Sequence, residues 1–131
     1  MNQDSILHRQ VHPDFRQSDS VSTQVFTVTS QVFTPTSKDD GKLSMYNGDK
    51  FTAREAFEHF LTTESNKSCG VLSVSVIECT NNDLKCDEDN TPFAGHTVID
   101  FNGKSKGQIK TAAKKLRDYA ISRGWQHSEN S

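Results

Sequence analysis

The sequence contains no long hydrophobic run, although its 131 residues are enough to bury a core. No apolar stretch approaches the roughly 20 residues that a membrane-spanning helix requires. The N-terminal segment MNQDSILHRQ also lacks the basic and apolar regions of a secretory signal. We therefore expect a cytoplasmic protein without a membrane partner.

Cysteine and net charge are also scarce. Three cysteines, an odd number, do not make the framework of a disulfide-stabilised domain and are consistent with a reducing compartment. Only 32% of the residues are hydrophobic, but a net charge of -2 gives little of the self-repulsion typical of disordered chains. We predict one domain over residues 6–125, with flexible ends at residues 1–5 and 126–131.

Recognisable catalytic and metal-binding motifs are missing. The sequence has no phosphate-binding loop, dinucleotide fingerprint, nucleophile elbow or HExxH pattern. Cys79, Cys86 and His96 could supply three zinc ligands, but the cysteine spacing is too wide for a zinc knuckle and no fourth ligand is evident. The acidic segment 83–89 lacks the glycine and glutamate of a calcium loop. We therefore predict no cofactor, and no metal needed for folding.

Two helices have clear start signals. Thr52 and Glu55 form a capping box, which is followed by apolar residues at helical spacing up to Leu61. Ser105 and Gln108 form a second capping box, and the helix after it is predicted to run to about Arg123, before a glycine suited to a C-terminal cap.

The strand signals are more uneven. Short strands are predicted at residues 6–11 and 43–46, and stronger ones at 71–79 and 96–101. Residues 80–95 are predicted to form a long acidic loop. This order predicts an α+β domain with a mainly antiparallel sheet of about four or five strands and two helices packed on one face. The predicted core is Phe57, Phe60, Leu72, Val74, Val76, Ile99, Phe101, Ile109 and Leu116.

A tandem duplication, QVFTVTS followed by QVFTPTS, covers residues 24–37. Its period of seven would place Phe26 and Phe33 on opposite faces of one straight strand. We therefore expect a bulge or turn between the copies, or one peripheral copy. Pro35 favours an edge or a strand end for the second copy.

Three groups of residues are candidates for function. His8 or His12 could act as a general base. The acidic segment could bind a basic partner through Asp83, Asp87, Glu88 and Asp89. The C-terminal helix carries a basic face that could attract phosphates, made of Lys106, Lys110, Lys114, Lys115 and Arg117.

These candidates support three functions. The first is a small bacterial protein-binding domain, for instance an immunity or antitoxin-like protein that occludes a basic toxin. The second is a small enzyme acting on RNA or a nucleotide with a histidine base. The third is a nucleic-acid-binding module that uses the basic C-terminal helix.

Overall fold

The computed structural model describes residues 1–15, 28–36 and 40–128. The strands are β1 (Ile6–Val11), β2 (Lys42–Asn47), β3 (Gly70–Ser75), β4 (Lys85–Glu88), β5 (His96–Asp100) and β6 (His127–Ser128). The α-helices are α1 (Ala53–Phe60), α2 (Val76–Thr80) and α3 (Lys106–Arg123), and short 3-10 helices span Pro13–Phe15 and Ser30–Phe33. No helix among these residues combines the length and apolar character needed to cross a bilayer.

The strands form one sheet in the order β4-β5-β2-β1-β3-β6, and every neighbouring pair is antiparallel. The predicted α+β class with an antiparallel sheet is confirmed, with six described strands in place of four or five. Sequence neighbours such as β1 and β2 are separated by long connections, so the sheet order depends on contacts between distant segments.

The main core lies between α3 and one face of the sheet, which we call the α3 face. Leu7 and Val11 of β1 and Leu72 and Val74 of β3 point to it and are buried with Leu116 of α3. The alternation of side chains along a strand therefore places the apolar residues of both central strands against one helix.

The opposite sheet face, the α1 face, is more polar. Gln10 lies on it and donates a hydrogen bond to the Ala56 carbonyl of α1 at 3.0 Å. His8, two residues earlier and on the same face, bonds the Phe51 carbonyl just before α1. The sequence analysis predicts both helices on one face of the sheet. In the structure α1 and α3 lie on opposite faces, because successive side chains of β1 point alternately to one helix and to the other.

The predicted helix starts are correct. The Thr52–Glu55 and Ser105–Gln108 capping boxes are both formed, and Gly124 ends α3 with a φ of 92°. In the predicted core, Leu72, Val74, Ile99, Phe101 and Leu116 are almost completely buried. Phe60 and Ile109 are half-buried at the edges of the two helices.

The strand predicted at residues 71–79 is wrong in its second half, because β3 ends at Ser75 and α2 begins at once. The Ser75 hydroxyl accepts a hydrogen bond from the Glu78 backbone N–H at 3.3 Å, and the Glu78 carboxylate accepts one from the Ser75 backbone N–H at 2.7 Å. This third capping box satisfies the free N–H groups of a helix start and outweighs the strand preference of Val76 and Ile77.

The long acidic loop is also wrong in part, because Lys85–Glu88 forms β4 and pairs with β5. The KCDE sequence shows no hydrophobic alternation, since this strand lies at the sheet edge and only Cys86 packs against the core. Asp83 lies in the turn before β4 with a φ of 58°, and Asn90 lies in the turn after it with a φ of 56°.

The second copy of the duplication belongs to the core rather than to a sheet edge. It contributes to the Ser30–Phe33 3-10 helix, in which Val32 and Phe33 are completely buried. The Thr34 hydroxyl donates to the Ser30 carbonyl at 2.9 Å, a local bond that competes with strand pairing. Residues 24–27 of the first copy lie outside the described residues.

The two predicted flexible ends make specific contacts where they are described. Ser5 is buried, and its hydroxyl donates to the Asp49 carboxylate at 2.8 Å. His127 and Ser128 form β6 on the outer side of β3, so sheet pairing continues past residue 125.

Leu116→Ala should lower the free energy of unfolding by about 2–5 kcal/mol, because it removes a completely buried side chain from the α3 core. Leu61→Ala is the matched control, since Leu61 is exposed and should contribute less than about 0.5 kcal/mol. Chemical denaturation of both variants measures the difference, and equal effects would contradict the placement of α3.

Candidate functional site

A cleft of about 700 Å³ opens on the α1 face where β1 and β2 separate. The two strands pair only through Leu7 with Asn47 and His8 with Tyr46, whereas β1 pairs with β3 along its whole length. Beyond His8 the strands diverge, and the space between them is closed by α1, the segment that follows α1, and the Phe93 loop. This volume is within the range of small-molecule sites.

Arg9 spans the gap between the diverging strands. Its Nε donates to the Val32 carbonyl at 2.9 Å, and its Nη1 donates to the Ser44 carbonyl of β2 at 2.8 Å. The guanidinium thus bonds the carbonyl of a β2 residue that has no partner in β1. The base of the cleft depends on this bridge.

The described residues that line the cleft include five with basic side chains and none with an acidic side chain. These groups are Arg9, His12, His59, Lys67 and His96. They come from distant parts of a chain whose net charge is -2. The cleft is therefore suited to an anion, because lining charges of one sign concentrate ligands of the opposite sign.

Aromatic rings form one wall of the cleft. Tyr46 and Phe93 are stacked with centroids 4.9 Å apart, and the Phe93 ring also packs against His59 at 4.6 Å and His96 at 5.4 Å. Phe93 is half-buried and central in this cluster. A planar ligand could add to the stack, since offset ring contacts are favourable.

Tyr46 is the hydrogen-bond partner of His59. Burial raises the pKa of the Tyr46 phenol to about 12, so the hydroxyl keeps its proton. This hydroxyl lies 2.9 Å from His59 Nδ1, and it donates to or accepts from that nitrogen according to the tautomer of the ring.

A backbone donor sets the tautomer of His12. Its Nδ1 accepts a hydrogen bond from the Asp14 backbone N–H at 3.1 Å, so the neutral ring carries its hydrogen on Nε2. The ring packs beside Phe15 with centroids 6.0 Å apart. His12, a candidate base from the sequence, does line the cleft.

His96 has the opposite tautomer. Its Nδ1 lies 3.1 Å from Asp89 Oδ2, and an ionised carboxylate only accepts, so Nδ1 must donate. The neutral ring therefore carries a lone pair on Nε2. Nε2 of His12, His59 and His96 has no hydrogen-bond partner within residues 1–15, 28–36 and 40–128.

The turn between β4 and β5 holds the His96–Asp89 pair in place. The Asp89 backbone N–H donates to the His96 carbonyl at 3.0 Å, and the Asn90 side chain accepts from the Gly95 N–H at 3.0 Å. Gly95 has a φ of 96°, and a Cβ there would lie 2.6 Å from the Phe51 ring. Only glycine leaves room for this close approach.

His8, the other candidate base, has a structural position. Its Nε2 donates to the Phe51 carbonyl at 3.1 Å, and its Nδ1 accepts from the Ser73 hydroxyl at 2.7 Å. Burial lowers the pKa of His8, partly opposed by the bond to Phe51. With both nitrogens bonded, the ring links β1, β3 and the segment before α1.

The four acidic candidates do not form one surface. Glu88 accepts from the Asn47 side chain at 3.1 Å, and Asp89 is paired with His96. Asp87 lies 3.6 Å from Lys85, and Asp83 is in the turn before β4. Alternation along β4 directs Asp87 and Glu88 to opposite sheet faces.

The basic face of α3 is divided in a similar way. Lys106, Lys110 and Lys114 follow each other at four-residue spacing along one flank, with Arg117 beside them and paired at 3.1 Å with Asp118. Lys115 is turned by about 100° from Lys114 and shares a shallow depression with Asp83. The helix therefore presents a narrow lysine stripe.

The cysteines lie away from the cleft. Hydrogen bonding between their side chains raises the pKa of the buried Cys79 thiol and lowers that of Cys86. Cys86 packs against the α3 face, whereas His96 lines the cleft on the other face. In the described part of the chain, no three histidine, cysteine or acidic side chains are arranged to hold a metal ion.

Sequence reasoning missed most of the cleft. No sequence motif includes His59, Tyr46, Lys67 or Phe93, although all four line the cleft. No spacing rule could have found them, because they lie in four separate segments. The signal that was present is compositional: all five histidines fall in or beside the segments on the α1 face, and three of them, His12, His59 and His96, line the cleft.

Comparison of the chain with protein-family models, with curated proteins and with solved structures gave no significant match. The function is therefore inferred from the geometry of the site.

The free energy of unfolding should fall as the pH drops below about 6.5, the usual histidine pKa, because the unfolded chain then binds a proton that folded His8 resists. His8→Gln removes the titrating group and should flatten this part of the profile. Urea denaturation at several pH values between about 5 and 8 measures both slopes. An unchanged slope in the variant would contradict the buried neutral state.

Arg9→Met should lower the free energy of unfolding by about 1.5–3 kcal/mol, because two backbone carbonyls lose a charged donor. Arg54→Met is the control: this exposed arginine pairs with Glu58 at 2.8 Å and should change stability by less than about 1 kcal/mol. If the two variants melt alike, Arg9 does not bridge the gap.

Proposed function

We propose that the protein binds nucleotides in the cleft between β1 and β2. The observation that carries this proposal is the combination of a purely basic set of charged lining groups with an aromatic wall. A nucleotide has the complementary parts, since its phosphate is anionic and its base is planar. A purely anionic ligand would not need the rings, and a neutral aromatic one would not need the cations.

The aromatic wall is suited to the base. The Phe93 ring stacks on Tyr46 and is half-buried. Stacking of a nucleobase on an aromatic side chain contributes about 1–3 kcal/mol and tolerates any base. The site should therefore bind purine and pyrimidine nucleotides with modest selectivity.

The phosphate has several donors available. Lys67 lines the cleft and is exposed, so its ammonium group can move to a bound anion. Neutral His12 presents an Nε2–H group, and His59 lines the same cleft. Such groups place hydrogen-bond donors around an oxyanion, and protonation of either ring would add a charge.

The two other hypotheses have less support. Occlusion of a basic protein by the acidic segment requires a common surface, but Glu88 and Asp89 bond Asn47 and His96 on different faces. Binding of nucleic acid by α3 would rest on the lysine stripe alone. No aromatic residue of α3 lies on the same flank as the stripe; the next residue on this flank after Lys110 and Lys114 is Ile121.

Titration calorimetry at low ionic strength should show that AMP and UMP bind more tightly than either adenosine or inorganic phosphate. Phe93→Ala should weaken binding of AMP by about 1–3 kcal/mol through loss of stacking. Lys67→Glu should weaken it by about tenfold or more, equivalent to 1.4 kcal/mol. Added salt should weaken the nucleotide complex more than any complex with adenosine.

Lys110→Glu combined with Lys114→Glu is the matched control, because it reverses charge on α3 and leaves the cleft unchanged. This double variant should bind AMP like the unmodified protein. If it loses binding while Lys67→Glu keeps it, the phosphate site is on α3. If none of the nucleotides binds to the unmodified protein, the proposal is wrong.

A further inference from the structure

We propose that the cleft also cleaves single-stranded RNA, with His96 as the general base and Asp89 as the residue that positions it. This inference rests on the proposed nucleotide binding by the same cleft and adds a reaction to it. It follows from the different tautomers of two cleft histidines, which give neutral His96 a lone pair on Nε2 and neutral His12 a hydrogen there.

His96 is the cleft imidazole best arranged to take a proton. Asp89 Oδ2 accepts the Nδ1 hydrogen at 3.1 Å, which leaves the Nε2 lone pair for a substrate. A carboxylate in this position holds the ring in one orientation and stabilises the imidazolium ion that forms. His96 lines the cleft, and its side chain is 10% exposed.

The ribose 2′-hydroxyl is the nucleophile best suited to this base. In RNA it lies next to the scissile phosphate, so the base needs to remove only one proton from a group that the substrate already positions. His96 Nε2 takes this proton while the 2′-oxygen forms a bond to phosphorus. The bond from phosphorus to the 5′-oxygen breaks with its electron pair going to that oxygen.

The remaining steps balance the reaction. The 5′-oxygen takes a proton from water, and the imidazolium of His96 returns its proton to the resulting hydroxide. The products are a 2′,3′-cyclic phosphate and a free 5′-hydroxyl, so no oxidant, reductant or further reactant is consumed. Each turnover restores neutral His96 and its bond to Asp89.

The other basic groups stabilise charge on the phosphate. His12, which carries an Nε2–H when neutral, and Lys67 line the same cleft as His96. Donors directed at the oxygens of a reacting phosphate stabilise the charge that develops in the transition state. His59 also lines this cleft and becomes a donor at both nitrogens when it is protonated.

The experiment uses two dinucleotides, the ribose compound UpA and its deoxyribose analogue, which lacks the attacking hydroxyl. Calorimetry measures the binding of the deoxyribose analogue, and chromatography measures uridine 2′,3′-cyclic phosphate released from UpA. The expected result is binding of the analogue and release of cyclic phosphate from UpA. Binding of the analogue without release of cyclic phosphate would overturn the catalytic inference and leave nucleotide binding in place. Failure of the analogue to bind, with no release of cyclic phosphate from UpA, would overturn both proposals.

His96→Ala should reduce kcat for UpA by about 10²–10⁴-fold, the usual contribution of a general base. His127→Gln is the matched control, because His127 lies in β6 beside Phe57 and outside the cleft. Equal cleavage by His96→Ala and the unmodified protein would assign the activity to a contaminant and overturn the inference. Thermal melting verifies that each variant is folded, and His96→Gln replaces the alanine variant if that one does not fold.

Asp89→Asn tests the positioning role. It should lower kcat while KM changes little, because the carboxylate acts through His96 and does not contact the phosphate. Imidazole added to a His96→Gly variant should restore part of the cleavage, which a merely structural role of the ring would not allow. A rise in KM with unchanged kcat in Asp89→Asn, or no recovery with imidazole, would overturn the assignment of His96 as the base.

Discussion

The separation of β1 from β2 is the constraint on which the site depends. These strands share two paired rows and then diverge, and the Arg9 guanidinium bonds the Ser44 and Val32 carbonyls across the gap. A continuous ladder here would close the sheet and leave no cleft. One charged side chain thus bridges the break in the sheet beside the place where the ligand is proposed to bind.

One face of the sheet carries the apolar core, and the other carries the polar layer beside the cleft. Leu7 and Val74 point to the α3 face and are completely buried, while His8 and Ser73, their sequence neighbours, point to the α1 face and bond each other. Because alternate residues of a strand face opposite ways, one short strand contributes both to the apolar core and to a polar layer. His8 forms the inner part of that layer, and the accessible histidines lie further out.

Capping boxes are local signals that the sequence shows directly. The capping boxes at Thr52 and Ser105 fixed the starts of α1 and α3, but the same pattern at Ser75 was overlooked among β-branched residues. The acidic strand β4 could not be found, since its pairing is decided by the neighbouring β5 and not by its own preference. The buried second copy of the duplication shows the same dependence on tertiary contacts, because the chain packs Phe33 against α3 from a 3-10 turn.

The amino-acid sequence by itself determined the fold class, the starts of α1 and α3, and part of the core. These properties depend on bonds and periodicities that span a few residues. Only the tertiary structure decided the sheet order, the break between β1 and β2, and the meeting of His12, His59 and His96 in one cleft. The physical reason is that a cleft of this kind is built from residues far apart in the chain, and no local preference of His59 or His96 specifies where the other will lie.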